Sequence, residues 1–465
     1  MTQLTEREQW GSKVGFVLAA AGSAIGLGNI WKFPYIAGEN GGASFVLVYL
    51  ICIAIIGLPV LIAEILIGRT TQRNPVGAFY KLSNSKIWAS LGGLGVVAGF
   101  MILSFYAIIA GWSIGYIVEA IVGNFYIWPE PVAAADHFHD LVSNPYWIIG
   151  YLALFMILTI AIVFAGVQKG IERASKIMMP ILFVLLIILM IRGLTLEGAG
   201  EGLDFLWNPD WSKISAGTIL LALGHAFFTL SLGMGAMLTY GSYMSNRDSV
   251  PGAALQVVTL DTLIALVAGM AIFTAVFAVG LDPAAGPGLI FHTLPGVFVK
   301  MPGGYFFSII FFTLLSIAAL TSSISLLEVV VSYFVDERKW KRHNAAIVLG
   351  IIIFLIGLPS ALSFNLLSEF KIFNLNFFDL VDYIASNILL PVGGLLLSVF
   401  VAWIWGFDMV LPNLKKGAEK LFNNYPWIIS IWKIFLKFLA PILIFLVFLH
   451  SIGLLDKIIE LFTKQ

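Results

Sequence analysis

Hard oxygen donors and interrupted backbone are the chemistry that this sequence places inside its apolar runs. Ala21-Gly22-Ser23-Ala24-Ile25-Gly26-Leu27-Gly28-Asn29-Ile30-Trp31-Lys32-Phe33-Pro34 lies within the first long hydrophobic segment. Each of its glycines lowers helix propensity by about 1 kcal/mol relative to alanine. Non-helical backbone at membrane depth survives only where protein buries it or where it lines a cavity. Alone, the stretch fits equally a helix packed closely through small residues and a helix broken around a bound solute. A second stretch, Leu220 to Gly235, repeats the pattern, with Gly224, Thr229, Ser231, Gly233 and Gly235 in mid-segment. Glycine-interrupted segments at corresponding positions of two halves point to a transporter with its solute bound between them. Such breaks turn N-terminal amides toward an anionic group and C-terminal carbonyls toward a cation.

These stretches need a membrane bundle to hold them. Of 465 residues, 60% are hydrophobic and 11% charged, and the mean hydropathy is +0.97, far from a soluble average of about 25% charged. The chain reads as an all-α polytopic membrane protein. A net charge of zero excludes a generally basic nucleic-acid binder. The single cysteine, Cys52, excludes a disulfide or a cysteine-built metal site within one chain. Met1 to Trp10 lacks the basic start and small-residue cleavage site of a signal peptide, and the absence of an Asn-x-Ser/Thr sequon favours a bacterial source.

Runs near twenty apolar residues predict eleven spans: α1 over 13–37, α2 over 42–68, α3 over 89–123, α4 over 146–165, α5 over 171–192, α6 over 215–241, α7 over 252–280, α8 over 303–335, α9 over 344–363, α10 over 377–405 and α11 over 427–455. Arg69, Arg73, Lys81 and Lys86 follow α2, Lys169, Arg173 and Lys176 follow α4, and Arg338, Lys339, Lys341 and Arg342 follow α8; Lys415, Lys416 and Lys420 follow α10. The 124–145 loop has no Lys or Arg and carries Glu130, Asp136 and Asp140. By the positive-inside rule the N-terminus is cytoplasmic and, with an odd count, the C-terminus extracellular, in a plasma (inner) membrane. The expected organisation is a cytoplasmic segment 1–12, a first group 13–192, an extracellular loop 193–214, a second group 215–405, and a cytoplasmic loop with α11 over 406–465. Asp282 to Gly304, with apolar Leu289 to Val299, reads as a re-entrant outer loop.

Ala21 to Asn29, Glu39-Asn40-Gly41-Gly42, Ala226-Phe227-Phe228-Thr229-Leu230-Ser231-Leu232-Gly233 and Leu320-Thr321-Ser322-Ser323 together resemble the neurotransmitter:sodium symporters. This family is that of LeuT-type sodium-coupled amino-acid and amine transporters, and the chain is most similar to its shorter bacterial members with eleven helices. The resemblance runs from Arg7 to α10. It implies the LeuT fold, with two inverted five-helix repeats (α1–α5 and α6–α10) plus α11, and with α1 and α6 unwound. It also implies alternating-access symport of a neutral amino acid with two sodium ions, and no organic cofactor.

Sodium takes about six hard oxygen ligands. The resemblance places one ion among Ala24, Asn29, Thr229 and Asp261, completed by the substrate carboxylate, and a second among Gly22, Ile25, Ala318, Thr321 and Ser322. By themselves Thr321 and Ser322 read more readily as interhelical hydrogen bonders. Asp261 departs from the Asn of many relatives, and Ala265 stands where chloride-dependent ones use Ser. Asp261 is therefore expected to bind sodium and to supply the charge that chloride supplies elsewhere, with a partner cation. Gly26 replaces the Asp of monoamine carriers and leaves room for an α-carboxylate. The implied substrate set is Ser23, Ala24, Gly26, Ile102, Tyr106, Phe228, Thr229, Ser231, Met234, Ser322, Ser325 and Leu326, whose apolar wall favours large neutral side chains.

The implied gates are Lys32 with Asp382 above a lid of Phe228 and Tyr106, and Arg7 with Asp336 on the cytoplasmic side, where Trp10 packs into the bundle. Glu64 is expected to accept hydrogen bonds from freed amides of α6. Gly170 and Pro180 resemble a spacing that lets the cytoplasmic half of α5 unwind. His225 and Glu328 are expected to be satisfied buried groups, with titration during transport as the alternative. A membrane redox enzyme lacks the paired His or Cys ligands it needs, and a channel would show unitary currents in place of coupled flux.

Overall fold

The computed structural model describes residues 7–127, 133–281, 289–455 and 457. Glu130, Asp282, residues 1–6 and most of the tail after Leu455 lie outside the described residues. Among the described residues, nine helices are long and apolar enough to cross a membrane: α2 (Ala43–Thr71), α3 (Lys86–Val122), α4 (Pro145–Phe164), α5 (Val167–Leu194), α7 (Val250–Ala278), α8 (Gly304–Asp336), α9 (Arg342–Leu362), α10 (Phe377–Lys415) and α11 (Trp427–Ser451). The remaining two expected spans are the interrupted ones. In α1, Lys13–Ala24 and Gly28–Glu39 meet at 47°. In α6, Ala216–Thr229 and Ala236–Gly241 are separated by Leu230 to Gly235.

Polar side chains set the helix starts. Ser12, Asn74, Asn144, Ser215, Ser249 and Asn376 each accept from a backbone amide of the following first turn, which satisfies donors that the helix itself leaves open. Burial separates the centre from the rim. The apolar stretches of α3 and α8 are 72% buried, whereas those of α4, α5 and α11 are only 33%, 28% and 22% buried and turn most of their surface outward. The broken segments of α1 and α6 pack inside this frame, with Ala20, Ala21, Ile25, Leu230 and Leu232 fully enclosed.

Three expectations change. α10 continues ten residues past 405, to Lys415, because Gly406 turns at φ +78° and the amphipathic stretch after it buries Val410 and Leu414. α5 begins four residues before the expected 171, with a wide π-type turn, Val167–Glu172. The 193–214 connection contains a helix, Ala199–Trp207, whose Gly202 lies so near α7 that a Cβ would sit 2.6 Å from the Phe273 carbonyl oxygen. In the outer loop, Thr293–Lys300 is helical; Phe291 and Phe298 pack on Trp112, Tyr116, Phe311 and Phe312 of α3 and α8.

Candidate functional site

The two breaks face one another across a small cavity. Helix α1 stops at Ala24 because Ile25 turns extended (φ −78°, ψ 95°), and hydrogen bonding resumes with Asn29 N donating to the Gly26 carbonyl at 3.2 Å. Inside the gap, the Leu27 amide donates to the Tyr106 hydroxyl at 3.3 Å and the Gly26 amide to Asn29 Oδ1 at 3.3 Å. In α6, Ser231 sits at φ +54°, a left-handed conformation that costs a non-glycine residue energy. Its hydroxyl donates to the Ser23 carbonyl at 2.9 Å, so the turn of α6 is tied to the break of α1.

A cavity of about 350 Å³ lies between them, lined by Ser23, Ala24, Gly26, Ile102, Tyr106, Phe228, Thr229, Ser231, Met234, Ser322 and Leu326, together with Leu27 and Gly28. Of the expected substrate set, Ser325 alone is missing from this lining. It lies one layer beneath, accepting from the Ser23 hydroxyl at 2.7 Å and donating to the Ser322 carbonyl at 2.8 Å. A Cβ on Gly26 would stand 2.3 Å from Ser322 Oγ and 2.9 Å from the Tyr106 hydroxyl, so any side chain there displaces the two polar groups of the wall.

Beside the cavity, oxygen atoms converge. Thr229 Oγ1 donates to Asn29 Oδ1 at 3.2 Å and to Asp261 Oδ1 at 3.1 Å, and Asn29 Nδ2 donates to Asp261 Oδ1 at 2.8 Å. Ala24, the last residue before the gap, lines the cavity next to them. Asp261 is fully buried. Its described donors are the neutral Asn29, Thr229 and the Tyr49 hydroxyl at 3.3 Å, and the described ion pairs do not include it, so the partner cation expected of it is not one of the described basic side chains. A buried carboxylate served by neutral donors keeps its negative charge uncompensated, and an incoming cation stabilises it. Tyr49 was not legible as a member of this group, since an aromatic in an apolar run looks like core.

On the far side of α1, Thr321 Oγ1 donates to the Ala318 and Ile25 carbonyls at 2.9 and 3.4 Å, and Ser322 Oγ to the Ser23 and Gly22 carbonyls at 3.1 and 3.4 Å. Gly22 eases this approach: a Cβ would crowd Thr321 at 3.1 Å. Gly22, Ile25, Ala318, Thr321 and Ser322 thus form one cluster of carbonyl and hydroxyl oxygens, the donor set that suits an alkali cation.

The two ends of the bundle differ. Arg7 forms an ion pair with Asp336, donates to Ser242 Oγ at 2.7 Å and lies over the Tyr243 ring, while Trp10 Nε1 donates to the Tyr240 carbonyl at 2.9 Å. Lys32 and Asp382 do not pair. The Lys32 ammonium sits 4.2 Å above the Phe228 ring, and Asp382 accepts from Ser386 at 2.6 Å. They face a vestibule of about 1060 Å³ floored by Tyr106 and Phe228.

Three further carboxylate and imidazole expectations can be placed. Glu64 accepts from the Gly233 amide at 2.6 Å, as expected of a group serving the α6 break. Glu328 is fully buried but satisfied by Arg342 and the Tyr243 hydroxyl; Arg342 had read as a loop charge because it precedes α9. His225 is buried and, among the described residues, neither ring nitrogen has a hydrogen-bond partner, contrary to expectation. It packs against Phe33, Phe45 and Tyr49 and lines a second cavity of about 710 Å³ among α1, α6, α10 and α11.

Comparison with known proteins agrees with this geometry. The model of the sodium:neurotransmitter symporter family matches residues 7–130 and 133–459. An uncharacterized sodium-dependent transporter of Bacillus subtilis is 42% identical over 96% of this chain and 98% of its own length. A second, from Methanocaldococcus jannaschii, is 31% identical over 94% of this chain and 89% of its own. Among solved structures, MhsT in complex with L-phenylalanine superposes with a TM-score of 0.87 at 50% identity, covering 96% of this chain and all of that one.

Proposed function

This chain belongs to the sodium:neurotransmitter symporter family, and on that premise we propose that it takes up a neutral amino acid with an apolar or aromatic side chain, together with two sodium ions. Membership makes it a sodium-dependent transporter with the LeuT fold, an integral membrane protein and not an enzyme. The observation that carries the finer reading is the cavity at Gly26. Backbone amides and the Tyr106 hydroxyl sit where an α-carboxylate would lie, a side chain at Gly26 would displace Ser322 and Tyr106, and Ile102, Met234, Leu326 and Phe228 form an apolar wall. The L-phenylalanine bound to MhsT, half of whose residues this chain shares, supports the same substrate class.

The first sodium lies among Ala24, Asn29, Thr229 and Asp261 and touches the substrate carboxylate. The second lies among Gly22, Ile25, Ala318, Thr321 and Ser322 and ties α1 to α8. Asp261, with Ala265 one turn on, supplies a fixed negative charge, so transport is independent of chloride. Each ion moving down 100 mV contributes about 2.3 kcal/mol, enough for one or two to drive steep accumulation. The Arg7 end faces the cytoplasm of a bacterial cell, as the basic loops after α2, α4 and α8 indicate.

A thermal-shift screen of the twenty amino acids with and without sodium tests this reading, because a ligand that binds the folded state raises the melting temperature. Apolar and aromatic amino acids should stabilise only with sodium present, and Gly26→Asp should abolish the shift. A shift by basic or acidic amino acids alone, or one kept in Gly26→Asp, would overturn it. Replacing chloride with gluconate should leave uptake into vesicles unchanged.

A further inference from the structure

The Arg7 end carries a second fastening, separate from the Arg7–Asp336 pair. Glu172, in the first turn of α5, is buried, and its side chain reaches the start of α1. Its carboxylate accepts from the Gly11 amide at 2.7 Å, from the Ser12 hydroxyl at 2.9 Å and from Lys176 Nζ at 2.6 Å. Ser12 is the N-cap of α1, and its oxygen accepts from the Gly15 amide at 3.0 Å while its proton goes to Glu172. Space for the carboxylate exists only because α1 carries glycine there: a Cβ on Gly15 would lie 2.1 Å from Glu172 Oε1, and one on Gly11 would lie 3.3 Å from Oε2.

The arrangement is reciprocal. Glu8, on the segment before α1, accepts from the Val167 amide, the first of α5, at 2.7 Å, and Gln168 donates to the Gln9 carbonyl at 2.7 Å. Glu8 thus takes the first amide of α5 directly, and Glu172 holds the N-cap residue of α1 through its hydroxyl and the amide before it, each carboxylate lying at the positive end of the other helix's dipole. Lys13–Ala24 is also separated from the rest of α1 by the break at Ile25, so this piece can swing as a unit. Any such swing uncovers a buried carboxylate and opens both caps at once.

We propose that Glu172 and Glu8 form a reciprocal cap that latches the first piece of α1 to α5, and that its release is a step in opening the Arg7 end. They are positioning residues, acting through the α1 segment whose Gly22 and Ile25 carbonyls border the Thr321 and Ser322 oxygens. The proposal rests on the reading that this cluster holds sodium and that the chain alternates access. An ion bound there joins α1 to α8 and so works with the latch.

The test is hydrogen exchange of the full-length protein in detergent micelles across a sodium titration, for wild type, Glu172→Gln and Glu8→Gln. The two isosteric variants avoid the packing defect of an alanine. Amides of residues 11–21 should exchange at least fivefold faster in each variant at low sodium. Saturating sodium should restore wild-type protection, with the half-saturating concentration raised about fivefold and the exchange of α3 and α8 unchanged. Uniformly faster exchange, or a lowered melting temperature with an unchanged sodium midpoint, would make the contacts merely structural and overturn the latch. Sodium-dependent protection without amino-acid binding would instead sink the substrate reading and leave the latch standing.

Discussion

The Arg7 end and the Lys32 end of this bundle are built from the same kinds of parts and stand in opposite states. Each has a basic residue on α1 or just before it, a carboxylate on a later helix and an aromatic ring against the cation. At the first, Arg7 and Asp336 are in contact, and Asp336 also accepts from the Asn74 amide at 3.0 Å. At the second, the cation rests on Phe228 and the carboxylate is turned to Ser386, with the vestibule open above. The difference teaches that the helix positions, not the presence of the charges, decide which pair forms. Partly exposed pairs are worth about 0 to 1 kcal/mol, too little to hold helices apart or together alone. The closed end therefore needs its additional bonds from Asn74, Ser242, Trp10 and Glu172, and the open end has no such set.

The largest effect is expected from removing the barrier at the open end. Phe228 borders both the vestibule and the inner cavity, so Phe228→Ala should merge them. Truncating a core phenylalanine costs about 3 to 5 kcal/mol. For this half-buried ring about 2 kcal/mol is reasonable, or roughly thirtyfold weaker binding, read by calorimetry with the amino acid found in the screen. Affinity kept within threefold would show that Phe228 is not the lid. Next comes the closed end. Arg7→Ala removes the pair with Asp336 and the bond to Ser242, together worth about 1.5 kcal/mol at this partly exposed position, and should raise hydrogen exchange over residues 7–17 about tenfold. Unchanged exchange would mean that Trp10 and Glu172 hold that end unaided.

What could be read from the sequence follows from what each feature depends on. The breaks at Gly26 and Gly233 were legible as a pair, since glycine-interrupted stretches recur at corresponding positions of the two halves, and family resemblance placed Thr321, Ser322 and Asp261 around them. The state of the Lys32–Asp382 pair was not legible, because the same residues serve both states and only distance separates them. Tyr49 and Arg342 were missed for a related reason. Tyr49 meets Asp261 at a separation of 212 positions in the chain, and Arg342 meets Glu328 from the start of the next helix, 14 positions on; locally one resembles core and the other a loop charge. Ser325 was placed in the cavity wall when it lies one layer down, a difference of one helical turn's direction that residue type does not encode. The extension of α10 through Gly406 was lost because its Asp408 and Pro412 resemble a loop.

Charge geometry at the open end offers a smaller, sharpening test. Arginine presents a planar fork that binds a carboxylate through two bonds, whereas lysine is a point charge. Lys32→Arg should favour the closed state of that end by up to about 1 kcal/mol, about fivefold in apparent affinity, with slower turnover in vesicles. Asp382→Asn in the same background should remove the gain. A gain that survives Asp382→Asn would assign it to stacking on Phe228, as cation–π contacts are of similar size.

The smallest effect concerns the outer loop over the vestibule. His292 packs on Phe138 at 4.7 Å, and burial together with nearby His139 pulls its pKa below the usual 6.5. Its protonation is therefore easier in the unfolded chain, which binds more protons than the native state in the window just below pH 6.5. Stability then rises with pH through that window and falls on acidification. Lys32, Asp379 and Asp382 face the same vestibule as His292. The expected result is faster hydrogen exchange over residues 289–300 at pH 5.5 than at pH 7.5, after correction for intrinsic exchange, and no such excess in His292→Asn. Because no group at the Arg7–Asp336 contact is a histidine, exchange over residues 7–17 should be flat across the same range; a parallel change at both ends would mean that the loop and the latch report one shared motion.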